Sequence, residues 1–116
     1  MKSYTDLEQA KKLKEILPAE SADMYYFDNL PVPKVGYSVE VEKLYSKTNI
    51  DYIPCWSLAA LLNVLPLIEG FYPIIDLDIN LIRYEGNYRD KLCFNGNNLI
   101  DACYELIIKL SELKML

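Results

Sequence analysis

The period of the hydrophobic pattern changes along this chain, and that change limits the fold more than any single motif. Near both ends apolar residues recur at helical spacing, while the middle carries runs that alternate with a period of two. Helices and strands together in 116 residues imply a mixed fold built as one domain, residues 1–116, large enough to form a continuous core without disulfides or metals.

At the N-terminal end, Thr5 followed by Glu8 has the pattern of a capping box. Leu7, Ala10, Leu13, Ile16 and Leu17 then keep the helical period, predicting a first helix over residues 6–17 that Pro18 ends. Glu8 and Lys12 form an i,i+4 pair, and Lys11, Lys12 and Lys14 are read as a solvated face. Residues 23–28, centred on Met24-Tyr25-Tyr26-Phe27, predict a strand buried on at least one face. The Pro-rich stretch 29–36 lacks a full set of ladder donors and is expected to be a loop. Tyr37, Val39 and Val41 alternate with Ser38, Glu40 and Glu42, which predicts a strand, with a helical turn open at Leu44 and Tyr45.

The segment from Ile53 to Pro66 is apolar almost all round. Proline is accepted in a first helical turn and excluded later, so a short, deeply packed helix is expected to start near Pro54, with Trp56 as a core anchor. Ile75, Leu77, Ile79 and Leu81 then oppose Asp76, Asp78 and Asn80, predicting a strand over residues 75–81. The turn signal Glu85-Gly86-Asn87 and a second alternating run, Tyr88 to Phe94, complete a β-hairpin. Asn95-Gly96-Asn97-Asn98 reads as a turn and helix cap. Leu99, Cys103, Leu106, Leu110 and Leu113 form one stripe of a third helix over residues 99–114. The expected fold class is α+β, with three helices packed on a small, mainly antiparallel sheet in the order α-β-β-α-β-β-α.

The chemistry open to the chain is narrow. It has no histidine, which removes the commonest general base near neutral pH, the Ser-His and Cys-His pairs, and nearly all zinc sites. A net charge of −5 disfavours a nonspecific grip on nucleic acid, which relies on Lys and Arg at the phosphates. Cys55, Cys93 and Cys103 have no Cys-x-x-Cys spacing, as expected of thiols in a reducing compartment such as the cytoplasm. No secretory signal pattern follows Lys2, and the greasiest stretch, residues 58–68, is about half a membrane span and is broken by Asn63 and Pro66, so no transmembrane helix is expected.

A few residues could still carry chemistry. Asp76 and Asp78, on one face of the expected strand and roughly 7 Å apart, would accept a hard cation if further oxygen ligands lay nearby; they fall where an amphipathic strand needs polar groups, and a solvated strand face is the preferred reading. Cys55, at the expected helix N-terminus, would be a nucleophile if the dipole lowered its pKa, but it has leucines around it and no base. Glu69 and Glu85 have no identifiable acid–base partner, and four isolated glycines make no phosphate cradle. No catalytic, metal or cofactor-binding residue is assigned, and no cofactor is expected.

Tyr4-Thr5-Asp6-Leu7-Glu8-Gln9-Ala10-Lys11-Lys12-Leu13 with Ala22-Asp23-Met24-Tyr25-Tyr26, and Pro54-Cys55-Trp56-Ser57-Leu58-Ala59-Ala60-Leu61-Leu62 with Leu65-Pro66, resemble small uncharacterised proteins encoded by phages and prophages of Bacteroides-type gut bacteria. Asp101-Ala102-Cys103 is a third, weaker match, and residues 29–52 depart from the pattern. The resemblance implies origin on a mobile element and no activity. With the acidic charge and ten tyrosines, the expected function is a non-enzymatic interaction or regulatory role through a protein partner. The alternatives are a self-assembling structural protein, pairing through the hairpin edge or the final leucine stripe, and a divalent-metal enzyme using Asp76 and Asp78.

Overall fold

The computed structural model describes residues 2–27, 29–33, 53–68, 70–85 and 92–116. Helix α1 spans Leu7–Lys14 and opens one residue later than Thr5 and Glu8 suggest: Asp6 caps it, accepting from the Gln9 N–H at 2.8 Å, while the Gln9 side chain accepts from the Asp6 N–H at 3.1 Å. Thr5 is fully buried, and its hydroxyl instead takes the Trp56 N–H at 3.1 Å, so a tertiary contact removed it from local capping. The chain leaves the α-helix before Ile16 and Leu17, and a 3-10 turn, Ala19–Ser21, leads into the first sheet.

That sheet is antiparallel in the order β2-β1-β3, from β1 (Met24–Phe27), β2 (Leu30–Pro33) and β3 (Ile53–Cys55). Two segments therefore differ from expectation: residues 30–33 are strand rather than loop, and Pro54 lies in β3 rather than in a helical first turn. Both follow from one rule. Pro31 and Pro33 sit opposite Tyr26 and Met24, and Pro54 opposite Tyr25. In an antiparallel ladder hydrogen-bonded and non-bonded pairs alternate, so prolines two apart on one edge all fall where no N–H is needed. Asn29, at φ 65°, makes the tight turn from β1 to β2.

Helix α2 (Leu58–Asn63) is capped by Ser57, whose hydroxyl accepts from the Ala60 N–H. The second sheet has the order β4-β5-β6, from β4 (Tyr72–Asp76), β5 (Leu81–Glu85) and β6 (Cys93–Asn95), again antiparallel. The alternation over residues 75–81 is not one strand: it covers the end of β4, a four-residue turn at 77–80 and the first residue of β5. Asp and Asn at every second position satisfied a strand pattern and a turn equally well. The β5–β6 pairing supplies a hairpin, with Ile82 opposite Phe94. The expected strand at 37–41, most of the turn at 85–87 and most of the run at 88–94 lie outside the described residues.

Helix α3 (Leu99–Glu112) begins where expected, with Asn98 accepting from the Asp101 N–H at 2.9 Å. Its Ile100, Cys103, Leu106, Ile107 and Leu110 are buried and meet Trp56, Leu61, Leu13, Ile82 and Tyr84 in the main core. Trp56 is 0% exposed, the anchor its sequence position suggests, and its indole N–H donates to Ser21 Oγ at 2.9 Å. A smaller cluster joins Ala10, Tyr26 and Cys55 between α1 and the first sheet. The described chain is thus mixed α+β, with three α-helices and two three-stranded antiparallel sheets in the expected order. Among the described residues no helix is long and apolar enough to cross a membrane.

Candidate functional site

Asp76 and Asp78 do not share a strand face. Asp76 ends β4, Asp78 belongs to the turn, and the Asp78 N–H donates to Asp76 Oδ1 at 3.1 Å, which uses the first carboxylate to shape the turn. Among the described residues no group of three or more His, Cys, Asp or Glu side chains could hold a metal ion. Glu85 is exposed, 3.9 Å from the Arg83 guanidinium, and Glu69 lies outside the described residues. Lys11, Lys12 and Lys14 face solvent.

Cys55 is in β3, not at a helix N-terminus, and is fully buried. Burial pushes its thiol pKa up, outweighing the bonds with Thr5 and Tyr26 that act the other way. Cys103 is pushed up to about 11 by burial alone. Neither is an activated nucleophile. Around Cys55 the polar groups satisfy one another: the Tyr26 hydroxyl donates to the Thr5 carbonyl at 2.6 Å, the Cys55 thiol to the same carbonyl at 3.5 Å, and the Thr5 hydroxyl to the Cys55 sulfur at 3.6 Å. A second cluster ties the first residues to α3: Lys2 Nζ lies 2.7 Å from Asp101 and 3.0 Å from Asp6, while Gln9 and Asn98 also donate to Asp101. Both clusters hold elements together rather than presenting reactive groups.

A cleft of about 640 Å³ opens between residues 20–23 and α2, lined by Glu20, Ser21, Asp23, Ala59, Leu62 and Asn63. Its inner polar groups are already engaged. Ser21 accepts from Trp56 and donates to the Pro18 carbonyl, and Asp23 accepts from both the backbone N–H and the hydroxyl of Ser57.

One surface whose exposed apolar residues the packing leaves unexplained is β4 with the turn after it. Helix α3 packs on β5 and β6. One helix about 10 Å across covers about two strands spaced 4.8 Å apart, so the third strand falls outside its footprint. Ile75 pairs with the buried Ile82, on the face turned to the core, yet is 37% exposed. Tyr72, on the opposite face of the strand from Ile75, and Leu77 and Ile79, in the turn after it, are 57%, 73% and 51% exposed, so the exposed apolar strip spans both faces of β4 and its turn. The turn itself is well held: Asn80 takes φ 51°, its amide donates to the Asn97 carbonyl, and the Asn95 amide donates to the Ile79 carbonyl.

The backbone of β4 is open as well. The Tyr84 N–H donates to the Leu92 carbonyl, so even-numbered residues of β5 point their backbone groups towards β6 and odd-numbered ones towards β4. Arg83 therefore bonds with Ile74, while Pro73 and Ile75 turn their backbone groups outward. Pro73 fits that place because it has no N–H to lose. Among the described residues no strand pairs with this outer edge. Sequence reasoning missed the edge because it took residues 75–81 as one strand; Pro73, two residues before Ile75, was the available signal. Comparison with protein-family models, curated proteins and solved structures found no match to this chain.

Proposed function

We propose that this is a non-enzymatic protein-binding module, of phage or prophage origin and working in the cytoplasm of a bacterial host, that engages its partner through β4 and the turn following it. One observation carries the reading: exposed apolar side chains gather at an edge strand and its turn, with Tyr72 and Ile75 on the two faces of β4 and Leu77 and Ile79 in the turn after it. The acidic balance of 17 carboxylates against 12 basic residues supports a protein partner over nucleic acid. The test places a photocrosslinking residue at Leu77 or, as a control on the opposite kind of surface, at Lys12, in cells of the host. A defined adduct from Leu77 that is absent from Lys12 supports the reading; no adduct from Leu77, or the same adducts from both, refutes it.

Self-assembly through the final leucine stripe loses its basis, since Leu106 and Leu110 are fully buried within the molecule. The four exposed apolar residues at β4 and its turn fall far short of the roughly 20–30 residues that each partner of a standard stable interface contributes.

A further inference from the structure

Resting on the reading that β4 binds a protein, we infer that it does so by strand addition, and that the occupant is an extended partner segment in which apolar and basic residues alternate. The outward groups of β4 supply the backbone half of this recognition. Ile75 offers an N–H and a carbonyl, enough to exchange two bonds with one residue of an incoming strand, and the Pro73 carbonyl accepts a third.

The two faces of β4 supply the side-chain half. Pro73 and Ile75 lie on the face shared with Ile82 and Tyr84, so incoming residues on that face meet apolar surface and extend the core-side sheet. Tyr72, Ile74 and Asp76 lie on the other face, opposite Glu85, Arg83 and Leu81. There, among the described residues, Asp76 and Glu85 outnumber Arg83, whose guanidinium lies 3.9 Å from Glu85, and Asp78 follows in the turn. A strand with period two places its lysines or arginines on this acidic face and its valines or isoleucines on the apolar one. A second copy of the chain fits less well on two counts: it brings another net charge of −5, and the strip is too small for a stable pairing of two whole molecules. A flexible segment needs less area, because its affinity comes from main-chain bonds and local contacts.

The test uses fluorescence anisotropy at about 0.1 M salt with a labelled seven-residue peptide alternating lysine with valine or isoleucine. The control peptide has the same composition with the lysines gathered at one end. Strand addition predicts that the alternating peptide binds at least tenfold tighter than the control, and that N-methylation of its central backbone amides abolishes that advantage. It also predicts a tenfold or greater loss with Ile75→Pro, which deletes an outward N–H that the sheet does not use, and with Asp76→Lys. Urea unfolding followed by Trp56 fluorescence checks that each variant folds; the N-methylated peptide tests the same bond on unaltered protein. Equal binding of both peptides, or an N-methylated peptide that binds as well as its parent, overturns strand addition. Sedimentation equilibrium showing a dimer that Ile75→Pro dissociates assigns the edge to a second copy and overturns it too. A specific Leu77 adduct in cells beside a peptide that fails to bind would end strand addition while leaving the protein-binding reading standing; loss of the Leu77 adduct would end both.

Discussion

The buried carbonyl of Thr5 makes a prediction whose sign is set by geometry. It accepts from two donors, the Tyr26 hydroxyl at 2.6 Å and the Cys55 thiol at 3.5 Å. Tyr26 is a dependable donor at any physiological pH, because burial, followed by the nearby Cys55, pushes its pKa well above the ordinary tyrosine value. Tyr26→Phe deletes one donor and leaves the other, so it should cost about 1 kcal/mol, the net worth of one hydrogen bond. Cys55→Ala deletes the weaker donor and a buried sulfur, costing about 1–2 kcal/mol, most of it packing. The double variant removes both donors and leaves a buried carbonyl without a partner, a penalty of about 1–3 kcal/mol that neither single variant incurs. The two substitutions should therefore be worse together than their sum by about 1–2 kcal/mol. Urea unfolding monitored by the one tryptophan, Trp56, measures all four species in the cycle. Additivity within about 0.5 kcal/mol, or a double variant less damaging than the sum, would refute the shared-acceptor geometry.

Asp101 should shape the acid limb of stability. Its partial burial alone would raise its pKa, but the bonds from Lys2, Gln9 and Asn98 outweigh that and hold the carboxyl below its ordinary 3.8. A lowered folded value contributes stability that is full above 3.8 and lost as pH falls through the folded value. Asp101→Asn should cost about 1 kcal/mol at pH 7 and flatten the decline below pH 4; an unchanged acid limb in pH-dependent urea titrations would contradict this. Lys2 moves the other way: burial would lower its pKa, the bonds to Asp101 and Asp6 raise it above 10.5, and its contribution is full below 10.5 and lost as pH rises through the folded value. Leu106→Ala, at a fully buried position of α3, should cost about 2–5 kcal/mol, whereas Lys109→Ala on the exposed face of the same helix should stay within about 0.5 kcal/mol; equal effects would mean the helix faces are misassigned. Leu77→Ser combined with Ile79→Thr should leave stability within about 0.5 kcal/mol of the parent, and a loss above about 1 kcal/mol would show that the fold itself uses these side chains.

How legible each element was in the sequence depended on whether one physical signal dominated locally. Helix α3 was readable because its cap at Asn98 and its apolar stripe agree with each other and with its burial. Trp56 was readable because an indole inside an apolar run has few other places to go. The N-terminal cap was misplaced by one residue because Thr5 had a better use 51 positions away, with the Trp56 N–H, which local spacing cannot reveal. The prolines misled for a related reason. Pro31, Pro33 and Pro54 look like breakers until the strand order places them on sheet edges, and strand order lies beyond single-sequence reading. Asp76 and Asp78 looked like a shared site only while residues 75–81 were one strand; the turn separates them and puts Asp76 to structural use.

The exposed strip on β4 divides into a part the fold requires and a part it does not. Ile75 is half uncovered because one helix cannot span three strands, and an apolar residue opposite Ile82 still gains from the contact it has. Leu77 and Ile79 have no such reason. They sit in a turn already held by Asp76, Asn80 and Asn95, where serine or asparagine would suit the backbone better and cost the core nothing. Leucine at 73% exposure in a turn, beside an edge that no described strand pairs, is a liability for aggregation that edge strands ordinarily avoid. Pro73 and the flanking Asp76 and Asp78 are the kind of residues that limit indiscriminate pairing, and they also set which strand is admitted: one that tolerates a missing N–H and brings positive charge. An apolar turn retained beside a guarded edge is the combination expected of a surface selected for one partner, and it is why Ile79→Thr should leave stability unchanged while weakening the adduct formed from a photocrosslinking residue at position 77.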